Sequence, residues 1–128
     1  MSNPISNYLG VHAAALPLRE QRMQLIASNL ANADTPNFKA KDLDFQAALE
    51  QAAAKAAPLQ GTNEQHLTLL NASPRLFERA GMQPSLDGNT VDADTERAAY
   101  GRAALEYRAS LSFIESKVRT MLTAITGQ

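Results

Sequence analysis

The stretch DADTERAAYGRAALEYRASLSFIESKVRTMLTAITG, residues 92–127, decides the fold. Tyr100, Ala104, Tyr107, Leu111, Ile114, Val118, Met121 and Ile125 follow one another at steps of four and three residues. That spacing keeps one apolar seam turned towards a partner helix, as a coiled coil requires. Asp92 or Asp94 suits the N-cap, and Glu96 sets negative charge in the first turn, where the helix dipole favours it. Gly127 is a natural stop. A helix over residues 94–126 would run about 50 Å at 1.5 Å per residue. Gly101 weakens its start by about 1 kcal/mol relative to Ala.

The N-terminal quarter repeats the theme less cleanly. Leu9, Leu16, Met23 and Leu30 fall seven apart, with Ile5 and Ile26 in the alternate row and His12 and Arg19 interrupting it. This mixed row suits a helix packed partly on apolar and partly on polar neighbours. Pro17 lies inside the pattern, so a kink there, or a helix restarting at Pro17, is expected.

Where this helix ends, the chain reads IASNLANADTPNFKA, residues 26–40. Asn29 and Asn32 share one helical face, and their amides can bond exposed carbonyls or groups on a neighbouring chain. Thr35 precedes Pro36 and is pushed into an extended conformation, which stops the helix. Asn37 tolerates a left-handed turn, and Phe38 can fold back as an apolar anchor. Two asparagines one turn apart are more than a helix stop requires.

Between the terminal helices, residues 36–92 read as an irregular connector. DLDFQAALEQAAAKAA is helix-prone over about 42–56, with Asp42 as candidate cap and Phe45, Leu49 and Ala52 on one face. Pro58 and Gly61 end it. His66–Leu70 is a candidate short strand, and Asp87-Gly88 a tight turn. The whole reads as one mainly α domain: an N-terminal helix over 1–35, the loose connector, and a C-terminal coiled-coil helix over 93–128.

Composition narrows the function. With 12 basic and 13 acidic residues and a net charge of -1, the 128-residue chain lacks the basic face of a nucleic-acid binder. The same balance disfavours docking on an anionic membrane. Aromatics make up 5% and apolar residues 45%, which suits helix-on-helix packing. There is no cysteine, so disulfides and thiolate metal sites are excluded. No apolar run approaches the roughly 18 residues of a membrane span. MSNPISNYLG lacks the basic and apolar regions of a cleaved secretory signal.

Chemical readings find little support. Ser73, His66 and Asp87 name the members of a hydrolytic triad, but no nucleophile elbow surrounds the serine. A wall hydrolase would need a carboxylate pair in a cleft, and nothing places one. His12 and His66 are isolated and make no metal site. DGNTVDADTE fails the calcium-loop register: counted from Asp87, position 5 is Val91, and counted from Asp92, position 6 is Arg97. A turn followed by a helix cap explains it better. The six glycines are dispersed and build no phosphate cradle. Catalytic residues, cofactors, metals and small-molecule substrates are therefore not expected.

ASNLANADTPNFKA resembles the N-terminal signature of the flagellar axial family of rod, hook and hook-associated proteins. The matching core is Ser28, Asn29, Leu30, Ala31, Asn32, Thr35, Pro36, Phe38 and Lys39. The family commonly has Gly in place of Asn37 and often Tyr in place of Phe38, replacements that keep the turn and the aromatic anchor. Residues 84–127 resemble the short proximal-rod branch of the same family. The resemblance implies a structural subunit that leaves the cytoplasm largely unfolded through the type III export apparatus, without a cleaved signal. It implies self-association in a helical rod spanning the periplasm, with other rod proteins, a membrane-ring adaptor and export-gate proteins as partners. Its terminal helices would form an inner coiled-coil layer that transmits torque and lines the export channel, so motility would need it. The residues expected at subunit interfaces are Leu9, Leu16, Met23, Ile26, Asn29, Leu30, Asn32, Thr35, Pro36 and Phe38, with Tyr107, Leu111, Ile114, Val118, Met121 and Ile125. The seams alone also fit a soluble coiled-coil adaptor or an export chaperone.

Overall fold

The computed structural model of the protein describes residues 4–56, 74–81 and 85–127. In chain order it contains α1 (Pro4–Ala31), β1 (Lys41–Leu43), α2 (Phe45–Ala56), β2 (Leu76–Glu78) and α3 (Ala93–Thr126). The fold is mainly helical, with two long terminal helices as the sequence predicts, and a small sheet lies between them. Among the described residues no helix is long and apolar enough to cross a membrane.

Both ends of α3 are set by the expected residues. Asp92 is extended, and its carboxylate accepts from the Thr95 N–H at 2.8 Å. At the other end Gly127 takes a left-handed φ of 72° and donates its N–H to the Thr123 carbonyl at 2.8 Å.

α1 runs antiparallel to α3. Asn29 bonds Glu96, Arg19 pairs with Glu106, and His12 stacks on Phe113, all in one register. Position 12, an interruption in the heptad row, thus stacks with a ring centroid distance of 4.8 Å. Arg19, the other interruption, reaches Glu106 at 2.7 Å and lies 5.0 Å over the Phe45 ring.

The break expected at Pro17 falls elsewhere. Pro17 lies within α1 at an exposed position, where water can serve the carbonyl its ring leaves unbonded. The non-helical residue is Gly10, at φ 58° and ψ -145°. Residues with a Cβ avoid that region, so a glycine permits the interruption.

The connector is more built than its sequence suggests. β1 and β2 pair antiparallel, with Lys41 opposite Glu78, Asp42 opposite Phe77 and Leu43 opposite Leu76. Leu18, Leu43 and Ala48 form the buried core, and Leu25, Phe45, Leu49 and Ala52 pack on it. The Phe45–Leu49–Ala52 face read from the sequence therefore meets α1 and β1. Burying a Leu side chain contributes about 1.5–3 kcal/mol, so these contacts fix the connector on the helix pair. Asp42 is not the cap of α2. That role belongs to Asp44, whose carboxylate accepts from the Ala47 N–H at 3.1 Å, while Asp42 lies in β1. The strand expected at His66–Leu70 lies outside the described residues.

Hydrogen bonding from Thr95 holds the Asp92 carboxyl below its ordinary range. A carboxyl whose folded pKa is depressed stabilises fully above its unfolded value and loses that contribution as pH falls through the folded value. Acidification below the ordinary carboxylate range of about 3.9 should thus unprotect the first-turn amides of α3 before those near Ser110. Amide exchange followed against pH checks this; simultaneous loss along α3 would contradict it.

Candidate functional site

The corner after α1 is built on Asn29. Its side chain is 1% exposed and lies against β1. The amide donates to the Lys41 carbonyl at 2.8 Å, and its oxygen accepts from the Lys41 N–H at 2.9 Å. A side-chain amide thereby pairs with both backbone groups of one residue, as a neighbouring strand would. The same nitrogen reaches Glu96 at 3.3 Å.

Charges complete this junction. Asp42 and Glu96 are 6% and 2% exposed, so each carboxylate needs compensation. Arg22 meets Asp42 through two bonds of 3.2 and 3.4 Å. Arg79 bonds Glu96, with its Nε 3.8 Å from Asp42. Two cations and two anions therefore link α1, β1, the segment after β2, and α3. Removing one partner from such a buried set typically costs about 3–5 kcal/mol, because the other charge is left unpaired.

A second knot closes the end of α1. Asn89, 6% exposed, directs its amide nitrogen at three carbonyls: Asn32 at 2.9 Å, Ala33 at 2.8 Å and Thr35 at 2.9 Å. Its oxygen accepts from the Val91 N–H at 2.8 Å. Asn89 thereby supplies, from a distant segment, a donor to the carbonyls of the turn that follows α1. Around it, Asn37 donates its N–H to Asp87, Thr90 to Phe38, and Lys39 its ammonium to Gly88. Asn37 adopts the expected left-handed φ of 65°. Gly88 has φ +74°, and a Cβ there would stand 2.6 Å from Asn37 Oδ1, so two constraints coincide on this glycine. The turn and the cap read from DGNTVDADTE are both present, at Ser85–Gly88 and Asp92.

The residues expected at interfaces fall into distinct places. Asn29 and Ile26 are buried inside the chain, at 1% and 2% exposure. The neighbouring-chain role weighed for the Asn29 amide gives way to an internal one, because β1 and α3 enclose it. Asn32 also bonds locally, to the Ser28 carbonyl and the Thr35 hydroxyl. Leu9, Leu16, Met23, Leu30 and Phe38 are half-buried, while Thr35 and Pro36 are exposed. On α3, Tyr107, Leu111, Ile114 and Met121 are half-buried, and Val118 and Ile125 are exposed.

The buried line on α3 is Glu96, Ala103 and Ser110. Small residues let α1 approach closely, since interaxial distance follows the side chains at the contact. Tyr100, Ala104, Leu111, Val118, Leu122 and Ile125 centre on an arc roughly 70° away, at 3.6 residues per turn. The larger apolar residues therefore form a shoulder. Val118, Leu122 and Ile125 on it are 38%, 55% and 74% exposed.

Sequence reading missed Arg22, Arg79 and Asn89, and saw Asp42 and Glu96 only as helix-end charges. The one available signal was Asn89 directly after a turn glycine, a position where its amide is free to point back at the chain.

A long helix pair, tied at one end by a polar corner and bearing an unfilled apolar shoulder, has the build of a structural assembly subunit. Residues 9–39 match the family described as "Flagella basal body rod protein". The chain is 43% identical to the flagellar basal body rod protein FlgB of Aeromonas hydrophila, covering 93% of this chain and 92% of that one. It is 40% identical to FlgB of Cereibacter sphaeroides strain ATCC 17029 over 94% of each chain. It is 38% identical to FlgB of Escherichia coli strain K12 over 87% of each. The chain belongs to the FlgB family of flagellar basal body rod proteins, and it is a structural rod subunit of the basal body rather than an enzyme.

Asn29→Ala would strand both Lys41 backbone groups and one side of Glu96. It should lower unfolding free energy by about 2–3 kcal/mol, while Asn32→Ala, at a more exposed and local site, should cost under about 1 kcal/mol. Urea unfolding followed by circular dichroism measures both; equal losses would remove the special role given to Asn29.

Proposed function

We propose that this subunit polymerises helically in the proximal rod, with α1 and α3 forming part of an inner coiled-coil layer. The carrying observation is the shoulder of α3. Its large apolar residues lie beside the line that α1 buries, so the helix pair leaves apolar area for further helices. Exposed apolar surface of this kind marks an interaction site. In a rod, the natural occupants are helices of other copies and of sibling rod proteins.

The assembled layer would transmit torque and line the channel through which later subunits leave, making the protein necessary for motility. Its partners would include other rod proteins, the adaptor to the membrane ring and export-gate components. Export without a cleaved signal, and a rod spanning the periplasm, belong to the same reading. The contact set consists of the half-buried and exposed members of the two seams together with Asn32, Thr35, Pro36 and Phe38. Ile26 and Asn29 shape the corner from inside.

Val118→Asp and Ile125→Asp separate assembly from folding, because both side chains are exposed in the single chain. Each variant should keep the unfolding midpoint of the parent chain, yet build no rods and leave cells non-swimming. Leu111→Asp and Ile114→Asp, at half-buried positions, should lose assembly with some loss of stability. Electron microscopy of isolated basal bodies and swimming assays give the readout. Normal motility in Val118→Asp and Ile125→Asp would overturn the proposal.

A further inference from the structure

The segment around β2 is held on the body without burying the side chains of its strand. Leu76 and Phe77 are 48% and 47% exposed, and Glu78 is exposed as well. Backbone pairing with β1 and one arginine hold it instead. The Asp44 N–H donates to the Arg75 carbonyl at 3.1 Å, and the Arg79 N–H to the Ala40 carbonyl at 2.7 Å. The Arg79 guanidinium bonds Glu96. Its Nε has no hydrogen-bond partner among the described residues and stands 3.8 Å from Asp42, beyond bonding reach. Leu76–Arg79 is therefore a strap that fits its seat incompletely. Elements with little apolar burial of their own open locally before the rest of a fold.

The seat has supports of its own. Asn29 clamps β1 through both backbone groups of Lys41. Leu43 is buried in the core with Leu18 and Ala48. Arg22 holds Asp42, and Asn29 reaches Glu96. Lifting the strap would leave an ordered strand edge, with the Ala40 carbonyl and the Asp44 N–H unpaired beside the Asp42 and Glu96 carboxylates. Such an edge is a template for another strand. Two carboxylates next to it select a guanidinium, whose fork can bridge them. The seat thus takes an extended segment that carries an arginine.

We propose that this seat is a strand-exchange site, filled by Leu76–Arg79 of the same chain or of a second copy. The structure supplies the occupant, because Leu76–Arg79 is the segment that sits there and every other copy carries it. The contacts are the same within and between copies, so exchange is a low-cost route to association. The inference rests on the self-assembly proposed above and adds to it a contact outside the two long helices.

Lys41 and Glu78 face one another across the ribbon and are both exposed, and the chain has no cysteine of its own. Lys41→Cys and Glu78→Cys are made separately and together in the full chain. Oxidation of the double variant in dilute solution supplies a form with its own strap locked in place. The separate variants, mixed and oxidised under assembling conditions, should give a 41–78 disulfide dimer as the major cross-linked product. Assembly by sedimentation without that dimer overturns the exchange and leaves the self-assembly reading standing. Where no assembly occurs, that reading fails, and the site is tested by itself with a labelled peptide of residues 74–80, Pro-Arg-Leu-Phe-Glu-Arg-Ala. Measured by fluorescence anisotropy, the peptide should bind the reduced double variant about tenfold or more tighter than the locked form. Replacing its second arginine by alanine should weaken binding by a similar factor. Equal binding to the two forms, or none, overturns the site.

Discussion

One amide holds the architecture in register. Asn29 presents a donor and an acceptor to the backbone of Lys41 and gives a further bond to Glu96. A two-stranded ribbon of three residues per strand is marginal by itself. Here its inner edge is closed by a side chain rigidly mounted on a helix, so the ribbon is clamped to α1. Since Glu96 lies in the first turn of α3, the same amide also fixes where the second long helix begins relative to the first. The Arg22–Asp42 and Arg79–Glu96 pairs then neutralise the charges that this placement buries.

The corner and the shoulder are complementary halves of one arrangement. At the corner, polar groups are satisfied within the chain: Asn29 by β1 and α3, and the carbonyls of the turn after α1 by Asn89. Along α3, the reverse holds. α1 covers the small residues Ala103 and Ser110 and leaves larger apolar ones beside them. A rod subunit needs both properties, a defined angle between its parts and area left for neighbours.

Much of this was legible from residues. The bounds of α3 followed from Asp92 and Gly127 because capping is local chemistry, decided within four residues. The left-handed turn at Asn37 and the stop at Pro36 followed for the same reason. Other features depend on segments far apart in the chain. Nothing near Asn89 says that its amide will meet carbonyls at 32, 33 and 35. Asp42 looks like a cap until β2 pairs with it and Asp44 takes the role. Pro17 looks like the break, but an exposed proline is tolerated and Gly10 takes the non-helical angles. The α3 seam was found by the size of its residues, whereas α1 chose the line that permits close approach. The Asn-Asn motif itself was visible, but its inward direction depended on a strand of three residues that periodicity does not reveal.

The shared register of the cross-helix contacts bears on mechanics. Links at residues 29, 19 and 12 of α1 stand about 15 and 10 Å apart along its axis, at 1.5 Å per residue. Sliding one helix past the other by a single turn of about 5.4 Å would break all three together. The pair therefore resists shear as one beam between the corner and Phe113. Past that rung the helical backbone is interrupted at Gly10, so the beam ends there.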